Sequence, residues 1–134
     1  MYLALILTSC LHYLALIPIL IKYRNKSLAD FNKLYRNTII ISTTISIVWH
    51  YFDESYILFY FDYIVVLLWF CQDILWSVLI NKPIIIYLNI IIGILHFLVR
   101  YSGNYVLYHS IWHVISAIKC IYISWVIQKY DKNI

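Results

Sequence analysis

Apolar residues fall into five long runs separated by four short polar breaks. The first run covers about 2–21 and carries no charged side chain. A basic stretch follows, Lys22 to Arg36, with Lys22, Arg24, Lys26, Lys33 and Arg36 against a single Asp30. Further runs cover about 37–51, 56–80, 83–99 and 106–128. The breaks between them are Phe52-Asp53-Glu54-Ser55, Asn81-Lys82-Pro83 and Arg100 to Asn104. A strand is typically about 5–6 residues long, whereas about 20 apolar residues cross the roughly 30 Å of hydrocarbon as a helix. The pattern therefore predicts five helices. Pro18 should bend or end the first, and Pro83 suits the first turn of the fourth.

Inside the runs, polar side chains recur at helical spacing. In the last run His109, His113, Ser116, Ala117, Cys120 and Ser124 make a small and polar stripe, while Ile111, Val114, Ile115, Ile118 and Ile121 fall largely elsewhere. Ser42, Thr43, Ser46 and His50 form a similar stripe in the second run. Small residues on one stripe let helices approach closely, leaving the other faces for lipid.

Composition turns this helical reading into a membrane one. Of 134 residues, 64% are hydrophobic and 12% charged, against roughly 25% charged in a soluble domain. Too little polar sequence remains to cover a water-facing surface. The expected fold is all-α, a polytopic membrane helix bundle of about five transmembrane helices in one domain spanning 1–134. No internal repeat is visible. The first run lacks a preceding basic region and a following small-residue cleavage site, so it reads as a spanning helix rather than a signal peptide.

The net charge of +4 is not gathered into a nucleic-acid footprint. It reads instead as topology, because basic residues favour the cytoplasmic side of short loops. With five crossings, the basic stretch, Lys82, Lys129 and Lys132 share one side and only Arg100 takes the other. The N-terminus should then lie outside and the C-terminus in the cytoplasm. Asn25-Lys26-Ser27 matches a glycosylation acceptor, but on this topology it faces the cytoplasm and is inert. Cys10, Cys71 and Cys120 sit inside apolar runs, without disulfide or zinc-motif spacing, and read as packing residues.

Alternation of the crossings brings several polar residues to one membrane level. Ser46 and His50, four apart on one face, lie near the outer end of helix two. Asp62 lies near the outer start of helix three, and His109 and His113, again four apart, near the outer start of helix five. Three imidazoles and a carboxylate at one level suit a zinc ion with a position left for water, whose pKa the metal lowers to about 7. Asp62 would orient or deprotonate that water, and Ser46 would donate a hydrogen bond to a developing oxyanion. The competing reading is structural. A lone H-x-x-x-H pair also serves interhelical hydrogen bonding, a membrane serine often bonds its own backbone, and Asp62 can cap a helix start. His12 and His96 join no cluster and read as packing or interfacial residues.

Two further charges lie deep. Lys119 is ten residues beyond His109, about 15 Å along a helix, and Asp73 is eleven beyond Asp62, about 16 Å. Unpaired charges at that depth are costly, so the two are expected to face one another, directly or through Gln72 or water. The alternative is that Lys119 snorkels to the cytoplasmic interface.

The pattern Ser46-x-x-x-His50, Asp62 twelve residues on, and His109-Ser-Ile-Trp-His113 in the last helix resembles the CREST superfamily, which includes alkaline ceramidases, progestin and adipoQ receptors and myomaker-like fusion proteins. The resemblance covers Ser42 to Phe70 and Tyr105 to Ser124. It implies an intramembrane zinc site with His50, His109 and His113 as ligands and Asp62 and Ser46 as catalytic groups. The implied activity is hydrolysis of a lipid amide or ester, with a sphingolipid or other acyl lipid as substrate. A non-enzymatic role in membrane remodelling or as a scaffold is the alternative within the same family. The superfamily has seven helices, with three between the Asp helix and the last. This chain has one there, which removes part of the cavity wall.

Overall fold

The computed structural model describes residues 2–20, 26–52 and 55–133. Lys22, Arg24, the Asn25 acceptor, Asp53 and Glu54 lie outside the described residues. The described residues are all-α, with five helical segments: α1 (Leu3–Ile19), α2 (Lys26–Tyr51), α3 (Tyr56–Leu79), α4 (Ile84–Arg100) and α5 (Tyr105–Asn133). Two of them, over Tyr56–Leu79 and Tyr105–Tyr130, are long and apolar enough to cross a membrane, and Leu3–Ile19 and Ile84–Val99 are shorter apolar helices.

Helix α1 is not uniform. It is α-helical over Leu3–Cys10, tightens to 3₁₀ winding over Leu11–Ala15, and returns to α over Leu16–Ile19. Pro18 has no N–H to give the Leu14 carbonyl, so the helix changes winding just before the proline and ends just after it.

The second helix corrects the expected boundary. It starts at Lys26, not near residue 37, so the basic stretch is helical from Lys26 to Arg36. Its periodicity explains why: Asn32, Tyr35 and Ile39 are buried at helical spacing, while Asp30 and Lys33 stay exposed. The charges occupy one face of a helix whose other face packs. Helix α5 likewise runs past the expected end at 128, to Asn133.

The turns are built by local chemistry. Helix α3 closes with Asn81 at φ 52°, Lys82 N–H donating to Ser77 O at 2.9 Å and Asn81 N–H to Val78 O at 3.2 Å. That is the six-to-one and five-to-two pairing of a Schellman close, in which asparagine tolerates the left-handed conformation. Pro83 then leads directly into α4. At the start of α5, Asn104 Oδ1 caps the helix by accepting the Leu107 N–H at 3.2 Å.

Burial is inverted relative to a water-soluble protein. Ser9, His50, Asp73 and Ser124 are 0% exposed, whereas Ile57 is 69%, Val78 70% and Ile118 62% exposed. The apolar core joins Ala15 and Ile19 of α1, Tyr35 and Ile39 of α2, Trp69 and Trp76 of α3, Ile85 of α4, and Cys120, Ile123 and Ile127 of α5. Cys120 therefore packs as expected. Cys71 does not, because it is exposed on the outer face of α3. No disulfide is formed by the three cysteines.

Candidate metal centre

The two polar stripes meet. Ser42, Thr43, Ser46 and His50 of α2 are all buried, as are His109, His113, Ser116 and Cys120 of α5, so each helix turns its polar face inward. His50 sits in the last turn of α2, and His109 and His113 sit one turn apart near the start of α5. One nitrogen from each of the three imidazoles lies within 4.8 Å of the others, and all three rings are buried. The group could hold a metal ion.

The detailed geometry fits that role at its centre. His50 Nε2 and His113 Nε2 are 3.2 Å apart. Two nitrogens on one tetrahedral zinc, each about 2.0–2.1 Å from it, lie roughly 3.3–3.4 Å apart. The separation is therefore near the one a shared ion imposes. The rings meet edge to face, with His50 and His113 centroids 5.4 Å apart, His50 and His109 5.3 Å, and His109 and His113 4.7 Å. The outer nitrogens depart from common practice. A ligating histidine usually donates its other ring N–H to a carboxylate, carbonyl or water, yet His113, whose Nε2 faces His50, has a buried Nδ1 with no hydrogen-bond partner among the described residues, and His109 Nδ1 is likewise unpartnered there. Ring packing orients them instead: Tyr105 and Trp112 lie against His109 at 4.8 and 5.5 Å, and Trp112 lies against His113 at 5.1 Å.

Ser46 and Asp62 stand beside the triad rather than in it. Both line a cavity of about 160 Å³ that His109 and His113 also border. Asp62 is 8% exposed, and its Oδ1 has no hydrogen-bond partner among the described residues. Ser46 Oγ is 3.4 Å from Ser9 Oγ.

Three neighbours were not in the expected set. Ser9 Oγ lies 3.2 Å from His113 Nε2, on the same nitrogen that faces His50. His12 lines the cavity, stacks edge-on to His113 at 5.7 Å, and is held by its Nδ1, 3.0 Å from Ser9 O. His96 of α4 packs against His109 at 5.8 Å, with its Nε2 2.7 Å from Tyr63 OH. The readable signal for Ser9 was depth. It lies six residues after Leu3, as His113 lies eight after Tyr105, and both helices run in the same direction.

Deeper in the bundle, Lys119 Nζ donates to Asp73 Oδ2 at 2.8 Å and to Asn89 Oδ1 at 2.9 Å. Tyr35 OH donates to Asp73 Oδ1 at 2.7 Å. The charges pair directly, and Gln72 instead donates to Thr38 Oγ1 at 2.9 Å. Snorkelling is thereby excluded for Lys119, which is 9% exposed. Four helices, α2 to α5, share this network.

Compared with known proteins, the chain matches no family model, no curated protein and no solved structure.

Proposed function

We propose that this chain is a zinc-dependent intramembrane hydrolase of a lipid amide or ester, a shortened relative of the ceramidase-like CREST proteins. The observation that carries the reading is the buried triad of His50, His109 and His113, two of whose members, His109 and His113, line a cavity that Asp62 and Ser46 also line. In this reading all five helices cross the bilayer, with the N-terminus outside and the C-terminus cytoplasmic. The inverted burial supports a lipid environment, since isoleucines and valines line the outside while serines, histidines and a Lys–Asp pair fill the inside.

The three histidines would hold the ion through neutral imidazoles. A bound zinc ion supplies Lewis acidity in a place that excludes bulk water. Asp62, beside the cavity and with Oδ1 unengaged among the described residues, would accept a proton from the attacking water and return it to the leaving nitrogen or oxygen as the amide or ester bond breaks. Ser46 donates its hydroxyl hydrogen to the carbonyl oxygen of the scissile group as charge builds there. The apolar walls, among them Trp69, Phe70 and Ile92, accommodate the lipid chain.

A second reading draws on the contacts among the histidines themselves. His113 Nε2 lies within hydrogen-bonding distance of both His50 Nε2 and Ser9 Oγ, so the cluster can also fasten α1, α2 and α5 in a non-enzymatic membrane scaffold. Metal analysis of detergent-purified protein, wild type against His113→Ala, separates the two. About one zinc per chain, lost in the variant, with turnover of a ceramide or acyl ester from a panel, supports the hydrolase. Metal-free folded wild type without turnover supports the scaffold.

A further inference from the structure

The exposed lining of the cavity beside the triad is concentrated on α3 and α4. Its lining from α1, α2 and α5 is buried, apart from the half-buried Trp112, as the residues His12, Ser46 and Ser116 illustrate. The lining residues with surface exposure are Tyr63, Val66 and Phe70 of α3 and Gly93 and His96 of α4. Tyr63 and Val66 are each 38% exposed. The mouth is therefore a slot between α3 and α4.

The register of this antiparallel pair defines the slot. Tyr63 OH and His96 Nε2 meet at 2.7 Å across it. Counting in opposite directions from that contact sets Val66 against Gly93 and Phe70 against Asn89. The interval from Tyr63 to Phe70 is seven residues, about 10 Å along the helix. At its centre, a Cβ built on Gly93 meets nothing within 4 Å. The missing side chain leaves the gap, and a larger one has room to fill it.

The surroundings identify what meets the mouth. Ile64, Leu67, Ile90, Ile94 and Phe97 around it are 47–62% exposed and all apolar. Val66 and Phe70 lie near the middle of α3, a helix long and apolar enough to cross a membrane. Mid-helix positions face hydrocarbon rather than headgroups. We propose that a single linear acyl chain of a membrane lipid passes sideways from the bilayer into the cavity between Val66 and Gly93, with the Tyr63–His96 hydrogen bond closing the end of the slot nearest the histidines. The fate of the chain's carbonyl rests on the hydrolase reading, while admission of the chain does not.

The test uses full-length protein in phosphatidylcholine nanodiscs with stearic acid carrying a mid-chain diazirine. Ultraviolet adducts are mapped by mass spectrometry. Wild type is expected to give adducts on the buried cavity residues His12 and Ser116 as well as on the outward residues Leu67 and Phe97. Gly93→Phe should lower the interior adducts at least tenfold and leave the outward ones unchanged, and Gly93→Ala should leave both unchanged. Gly93→Leu provides a second plug if the phenylalanine variant does not fold. Tyr63→Phe, which removes the closing hydrogen bond, should raise the interior adducts severalfold. Interior adducts that persist in a folded plugged variant, or that never form in wild type, overturn the slot. Metal-free His113→Ala should keep its interior adducts, so a failed hydrolase reading and a failed slot give different results.

Discussion

The ammonium of Lys119 on α5 lies 2.8 Å from Asp73 Oδ2 on α3, across a sequence separation of 46 residues. Both groups are withdrawn from the surface: Asp73 is 0% and Lys119 9% exposed. The network is well satisfied, since Tyr35 holds the other carboxylate oxygen and Asn89 takes a second ammonium hydrogen. The Lys119 charge also lies 5.7 Å from the centre of the Trp69 ring, within cation–π range.

Breaking such a pair leaves one buried charge uncompensated, at a cost of about 3–5 kcal/mol. Asp73→Lys and Lys119→Asp should each lower the folded yield in detergent sharply, as read by monodisperse recovery on size exclusion. The double exchange should recover part of the loss. A double variant no better than the worse single one would show that orientation within the network, not charge pairing, is what the fold requires.

Alanine at His50, His109 or His113 should each abolish stoichiometric zinc, measured by elemental analysis of purified protein. Alanine at His12 or His96 should not, because these rings pack against the triad rather than belong to it. Acid should also release the metal, because ligating imidazoles must be neutral. Undiminished zinc in His109→Ala would remove that residue from the ligand set.

Asp62→Asn should retain zinc and lose hydrolysis, since the amide cannot accept the proton. Ser46→Ala should lower kcat by about 10²–10³, the range for losing one oxyanion donor, with little change in KM. Full activity in both would sink the assigned roles and leave the scaffold reading.

Topology is open to cysteine labelling once Cys10, Cys71 and Cys120 are replaced by serine or alanine. A cysteine at Lys129 should react with an impermeant maleimide only after permeabilisation, and one at Ser55 from outside intact cells. The opposite pattern would reverse the orientation without disturbing the meeting of the histidines.

Much of this arrangement is legible in sequence because depth is countable. Once five helices alternate, residue number converts to height at about 1.5 Å per step. His50, His109 and His113 then fall at one level, and Lys119 and Asp73 at another. Rotation about the helix axis is harder to count. The spacing of His12 and His96 does not show which way they face; packing against Trp69 and Trp112 decides it. The start of α2 is hard to read from sequence for a related reason. The charges of the Lys22 to Arg36 stretch mask the buried positions within it, and the value of Tyr35 depends on a partner, Asp73, 38 residues away.

The 3₁₀ turn in α1 acts as a phase lock. Buried positions there step by three, from Ser9 to His12 to Ala15, matching three residues per turn. Over the same six residues an ordinary α-helix would drift by about 120°, so His12 or Ala15 would swing off the line that faces α5. The overwound segment thus sets the azimuth of α1 around the histidines. Inserting one residue after Ala15 would leave Ser9 and His12 in place but rotate Ile19 by about 100°, out of the core it now occupies.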